Sequence, residues 1–152
     1  MRYVYLRFIR MRGTPAEIAR GAAVGVFAGM FPFFGFQTIL SVGIAAVVRG
    51  NKIAAAATTW ISNPLTYVPI YAFNFHVGRW LLRADDTFVF TRQSLSEILN
   101  AGSHFVMVMM IGCTVVGVIS AAITYPLTLR VVSNVRHQLR MSRKQARERR
   151  SQ

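Results

Sequence analysis

The sequence predicts an all-α integral membrane fold, with broken or re-entrant helices, one or two spanning helices and a basic amphipathic helix at the C-terminus. Three observations predict it. Of 152 residues 53% are hydrophobic while the net charge is +13, a pairing that a soluble core of this size does not need and that implies segregation along the chain. The charges are confined to residues 1–20, the turn at 49–52, residues 79–97 and the stretch from Arg130 onward. Between them the runs 21–48, 53–78 and 105–129 contain no Asp, Glu, Lys or Arg, and each exceeds the roughly 20 apolar residues that cross a bilayer as a helix. The length suits one embedded domain over residues 1–129, followed by a basic tail helix over 130–152.

The first ten residues are basic and aromatic, and the apolar run begins only after Thr14, Glu17 and Arg20. They are read as mature protein, because a cleaved signal needs an apolar stretch sooner and a small-residue cleavage site after it. Thr14-Pro15-Ala16-Glu17 supplies an N-cap hydroxyl, proline at the first helical position and glutamate three residues after the cap, so a helix starts at Pro15. Along it Gly21, Gly25 and Gly29 recur every four residues. That spacing leaves one face without side chains, on which another helix can pack closely.

Pro32 removes an amide donor and Gly35 permits turn dihedrals, so the helix breaks or kinks within Met30-Phe31-Pro32-Phe33-Phe34-Gly35-Phe36-Gln37. The apolar pieces on either side, 21–31 and 37–48, make roughly 16 and 18 Å of helix. Each is about half of a hydrocarbon core of roughly 30 Å. A re-entrant hairpin fits those lengths, and one kinked, tilted spanning helix is the alternative. After the Arg49-Gly50-Asn51-Lys52 turn the second run is interrupted by Ser62-Asn63-Pro64 and again by Pro69. Pro32 lies 12 residues after Arg20 and Pro64 lies 12 after Lys52. Paired interruptions of this kind point to a site built from broken helices.

Ser94-Leu95-Ser96-Glu97 forms a second capping box. The run 105–129 carries eleven Phe, Val, Ile or Leu residues, worth about −3 to −7 kcal/mol of insertion free energy at roughly −0.3 to −0.6 each. It is the clearest spanning helix, with Pro126 bending its end. Beyond it Arg136, Arg140, Arg143, Arg147 and Arg150 recur at helical spacing opposite Val131, Val135 and Leu139. Such a face attracts anionic lipid headgroups at about 1 kcal/mol per residue. No nucleic-acid motif accompanies it, so lipid contact and topology are weighed above nucleic acid.

Lys and Arg number five in residues 1–20, two in 49–52, three in 79–104 and eight in the tail. Positive residues stay in the cytoplasm, so both termini and the 49–52 turn are expected there. That requires an even number of crossings: a hairpin at 21–48, an outward broken span at 53–78 and a return at 105–129.

Inside or beside the apolar runs stand Gln37, Thr58, Thr59, Trp60, Ser62, Asn63, Thr66, Tyr67, Asn74 and His76, with no carboxylate among them. No nucleophile with its base, carboxylate pair or metal set is visible, so neither enzymatic activity nor a cofactor is expected. His76, His104 and His137 stand singly and Cys113 is alone, a packing residue by its surroundings. The candidate pocket or helix-break residues are Pro32, Gly35, Gln37, Trp60, Asn63, Pro64 and Thr66. They either satisfy the backbone groups freed at the breaks or line a polar pocket for a small solute, an ion or a lipid headgroup.

Together these motifs resemble the bacterial membrane-protein family known as domain of unknown function 2062. The resemblance covers most of the chain. It rests on the glycine-rich helix leading into Pro32-Phe33-Phe34-Gly35-Phe36-Gln37, on Arg49-Gly50-Asn51-Lys52, and on Thr59-Trp60-Ile61-Ser62-Asn63-Pro64-Leu65-Thr66 with Pro69 and Tyr71. It implies a multi-pass protein of the bacterial cytoplasmic membrane without an established catalytic activity or ligand, from which the arginine-rich tail is a departure. Two functions follow as expectations: a minimal protein handling a solute, ion or lipid through the paired breaks, and a non-catalytic subunit or scaffold packing through its glycine face and tail. Three short membrane segments hardly enclose a pathway alone, so a homo-oligomer or a complex with other membrane proteins is expected for either.

Overall fold

The computed structural model describes residues 13–33, 35–83 and 95–149, with side chains at all of these but 95–101, 140, 143, 144, 146 and 147. Among the described residues the chain is all helical: α1 (Pro15–Gly29), α2 (Phe36–Val47), α3 (Lys52–Thr58), a 3-10 turn (Thr59–Ile61), α4 (Tyr67–Leu82) and α5 (Leu95–Glu148).

The predicted capping box opens α1. The Glu17 amide donates to Thr14 Oγ1 at 3.2 Å and the Thr14 amide donates to Glu17 Oε2 at 3.3 Å, which satisfies two of the orphan donors at the helix start. The helix stops at Gly29, where the Met30 and Phe31 amides tighten back onto the Phe27 and Ala28 carbonyls at 3.1 and 3.2 Å. Pro32 has no amide to continue the ladder. Gly35 then takes φ of 82° as the N-cap of α2, a left-handed conformation that L side chains rarely adopt.

α2 ends in a Schellman arrangement. Arg49 sits left-handed at φ 53°, and the Gly50 amide donates to the Ala45 carbonyl at 2.7 Å. The following residue closes the hairpin: the Asn51 amide donates to the Glu17 carbonyl at 2.7 Å, returning the chain to the first turn of α1. α1 and α2 are therefore antiparallel. Asn51 also caps α3 by accepting from the Ala54 amide at 2.9 Å. From there α3 runs up the bare face of α1. A Cβ at Gly21 meets the Asn51 carbonyl, one at Gly25 meets the Ala55 carbonyl and Thr58 Oγ1, and one at Gly29 comes within 2.9 Å of the Ile61 methyl.

The sequence places an interruption at Pro69, and here the structure differs. α4 begins at Tyr67, so Pro69 lies in its first turn, where an amide has no helical acceptor in any case. α5 passes antiparallel to both α4 and α1. Val108 and Gly112 lie against Gly78 and Asn74, Gly117 against Phe27, Val132 against Ile18 and Ala54, and the Arg136 guanidinium donates to the Gly13 carbonyl at 2.6 Å. The core is small, with one cluster of Ile18, Ala54 and Val132 at the base and another of Phe31, Met109 and Cys113 at the hairpin tip, flanked by Phe27, Tyr71, Phe75 and Met110.

α5 is one helix of 54 residues, about 81 Å long. It carries Pro126 in its interior and runs through 129–130 without an end, so the expected start of the tail coincides with no break. Both Pro126 and Ala122, whose carbonyl loses its partner, are exposed, so the unpaired group is not sealed in the core. Its Gly102–Leu139 portion is long and apolar enough to cross a membrane. Residues 84–94 lie outside the described residues, and with Ser94 the second capping box does too; α5 is described from Leu95 onward.

Candidate functional site

The two interhelical junctions meet. The tip of the α1–α2 hairpin and the α3–α4 junction lie side by side, joined by a seam of hydroxyl and carboxamide groups. Gln37, on the first turn of α2, is buried at 6% exposure, and Ser62 Oγ shares its proton between Gln37 Oε1 at 3.3 Å and the Thr59 carbonyl at 3.2 Å. At the next residue of α2, Thr38 Oγ1 lies 3.2 Å from Thr59 Oγ1. Since Thr59 already donates to the Ala56 carbonyl at 2.7 Å, Thr38 is the donor of that pair. Ser41, fully buried, donates to the Thr38 carbonyl at 2.9 Å. Lower in the seam Thr58 Oγ1 donates among the Ala54, Ala22 and Ala55 carbonyls at 2.9 to 3.2 Å, tying α3 to α1.

On the other side of the seam α4 caps the exposed end of α1. Tyr71 Oη donates to the Phe31 carbonyl at 3.1 Å and Asn74 Nδ2 to the Met30 carbonyl at 2.9 Å. These are carbonyls that no further helical turn reaches. Asn74 is wholly buried and its amide also reaches Cys113 Sγ at 3.4 Å. The Met30 carbonyl fixes the amide's orientation, because the reversed form sets two carbonyl oxygens together. Asn74 Oδ1 is thereby left with no partner among the described residues.

The sequence candidates divide between this seam and its surroundings. Gln37 lies in the seam, and Pro32 is half-buried beside it. Asn63 and Thr66 instead build their own turn: Asn63 Oδ1 accepts from the Leu65 amide at 2.9 Å, while Thr66 Oγ1 accepts from the Asn63 amide at 2.9 Å and donates to the Ile61 carbonyl at 2.7 Å. Gly35, Pro64 and Trp60 face outward, Trp60 at 71% exposure. Gly21, Gly25 and Gly29 lie along α3 as described. Of the arginine face, Arg136 holds Gly13, whereas the Arg140, Arg143 and Arg147 side chains and Arg150 lie outside the described residues.

Sequence reasoning left Thr38, Ser41, Thr58, Thr59, Ser62, Tyr71 and Asn74 out of the candidate site. Asn74 carried a signal, as a carboxamide deep in an uncharged run. Nothing local marked the close pair Gly78 and Gly112, where a Cβ on either meets the opposing helix backbone. Each glycine is isolated from any four-residue repeat. Among the described residues no group of three His, Cys, Asp or Glu comes together.

Comparison with curated proteins and with solved structures found no match. The model of a bacterial family, described as "uncharacterized protein conserved in bacteria (DUF2062)", matches residues 1–141. That span takes in α1 to α4, the seam and most of α5, and the chain belongs to this family.

Proposed function

We propose that the chain is a small, non-enzymatic, multi-pass protein of the bacterial cytoplasmic membrane that serves as a packing module for copies of itself or for other membrane proteins. In this reading α1 and α2 form a hairpin that enters and leaves on the cytoplasmic side. The α3–α4 run crosses with a break at Thr59–Thr66, and α5 returns and continues as the basic tail, with both termini cytoplasmic.

The observation that supports membrane embedding is the placement of the large apolar side chains. Phe36, Ile53, Trp60, Leu65 and Trp80 are 73%, 67%, 71%, 88% and 79% exposed, and they are spread over α2, α3, the 3-10 turn, the junction and α4. Scattered apolar residues are ordinary on a soluble surface. A chain whose core is a few small clusters while its largest side chains face out on successive elements is suited to lipid or to apolar partners. The seam supports a structural role at that depth, since its hydroxyls donate to carbonyls or to one another and so close the backbone at both breaks. Membrane fractionation with alkaline extraction tests embedding, and the mass of the particle in mild detergent tests assembly. A chain released by alkali, or a monomer with no co-purifying chain, contradicts the reading.

A second reading, handling of a small solute, an ion or a lipid headgroup at the breaks, is favoured by Asn74 Oδ1. A wholly buried acceptor without a partner costs about 1–3 kcal/mol, and a water, a cation or a ligand donor supplies what it lacks. Flux and lipid-scrambling assays in proteoliposomes distinguish this from the packing module.

A further inference from the structure

The base of the hairpin carries a concentration of positive charge that neither the seam nor the tail explains. The Schellman end of α2 places Arg49 in the turn, and Lys52 opens α3 three residues later; both are exposed. The turn is docked on Arg20. A Cβ at Gly50 comes within 2.9 Å of the Gly21 nitrogen and 3.3 Å of the Arg20 carbonyl carbon. Arg20 is half-buried, and its Nε is sealed from solvent with no acceptor among the described residues. Within residues 13–83 the single carboxylate is Glu17, and one of its oxygens accepts the Thr14 amide in the capping box. The two Nη groups of Arg20 are not sealed, and together they form a fork that matches two oxygens of a phosphate.

The surroundings indicate how such a phosphate arrives. Val47 is 83% exposed and Ile53 67% exposed, so large apolar side chains stand out immediately beside Arg49 and Lys52. A surface that changes from cationic to apolar within one residue suits an amphiphile with a phosphate head and acyl chains better than a freely diffusing anion. We propose that Arg20, Arg49 and Lys52 seat the phosphodiester of an anionic lipid at the cytoplasmic base of the α1–α2 hairpin, as a site separate from the arginine-rich tail. The proposal rests on the membrane reading above.

The test uses the full chain purified in zwitterionic phosphatidylcholine bicelles and titrated with phosphatidylglycerol, with thermal stability as the readout. The variants are Arg20→Gln, the exposed pair Arg49→Gln and Lys52→Gln, and the tail triple Arg140→Gln, Arg143→Gln and Arg147→Gln. Phosphatidylglycerol stabilises the wild type in a saturable manner. Removing each of the three base cations weakens the apparent affinity by about fivefold, and the tail triple leaves the midpoint near that of the wild type. The exposed pair keeps the test decisive should Arg20→Gln unfold. The proposal is overturned if base variants and wild type share one titration curve, if only the tail triple shifts it, or if inorganic phosphate reproduces the stabilisation. A chain that fails to reach the membrane fraction instead removes the membrane reading and the seat with it, an outcome separable by fractionation alone.

Discussion

Gly112 of α5 lies so close to Asn74 of α4 that any side chain at 112 overlaps the Asn74 carbonyl oxygen. The same crossing brings Gly78 onto the Val108 carbonyl, so the two backbones touch where the buried Asn74 side chain reaches across to α1. Gly112→Ala and Gly78→Ala are expected to cost about 1–3 kcal/mol through overpacking. Gly43→Ala, in a helix with open space around the site, is expected to gain roughly 0.5–1 kcal/mol from helix propensity. Unfolding midpoints in detergent measure the contrast, and equal stability of Gly112→Ala and Gly43→Ala contradicts it.

Gly25→Ala probes the contact between α1 and α3. Its added methyl meets the Ala55 carbonyl and Thr58 Oγ1 together. Backbone cannot swing aside as a flexible side chain does, so a loss of about 1–3 kcal/mol is expected. Thr58→Val keeps the shape but removes the hydroxyl that ties α3 to the Ala22 carbonyl, with an expected loss of about 0.5–1.5 kcal/mol. If both variants match the wild type in thermal stability, the α1–α3 packing described here is wrong.

The pair Gln37 and Ser62 bridges the two breaks, and a double-mutant cycle isolates it. Gln37→Ala and Ser62→Ala each remove one side of the buried hydrogen bond. The double variant should therefore lose less than the sum of the singles, by about 0.5–1.5 kcal/mol. Strict additivity means that the hydrogen bond contributes nothing measurable.

Tyr71→Phe and Asn74→Ala test the capping of α1 from α4. Tyr71→Phe removes one donor to the Phe31 carbonyl and leaves the Phe33 amide on it, at an expected cost of about 1 kcal/mol. Asn74→Ala leaves the Met30 carbonyl unpaired in a buried setting and is expected to cost more, about 1–3 kcal/mol. Differential stability in detergent decides it, and the reverse ranking contradicts the assignment of Asn74 as the more buried cap.

Local devices were legible in the sequence because their physics is local. The Thr14 to Glu17 capping box, the stop before Pro32 and the turn at 62–66 depend on residues within a few positions of each other, and the structure places helix ends there. The glycine spacing at 21, 25 and 29 showed which face of α1 is bare, but the sequence could not say which element occupies it. Pro69 misled because a proline reads the same in a first turn as in a break, and the difference depends on where the 62–66 turn releases the chain. The Gln37–Ser62 and Asn74–Met30 contacts bridge 25 and 44 residues. Chain topology sets such separations, and no spacing rule encodes them. The continuity of α5 through Pro126 was hidden for a similar reason, since whether Ala122 and Pro126 stay exposed depends on which elements pack against the helix.

The central claim is that the α1–α2 hairpin and both termini share the cytoplasmic side while the end of α4 lies opposite. Single cysteines at Lys52→Cys, Arg83→Cys and Ser142→Cys in a Cys113→Ala background, each exposed in the fold, test it with a membrane-impermeant thiol reagent applied to intact spheroplasts and to lysed ones. The account predicts labelling of Arg83→Cys alone in intact spheroplasts and of all three after lysis. Labelling of Lys52→Cys or Ser142→Cys in intact spheroplasts, or protection of Arg83→Cys, contradicts it.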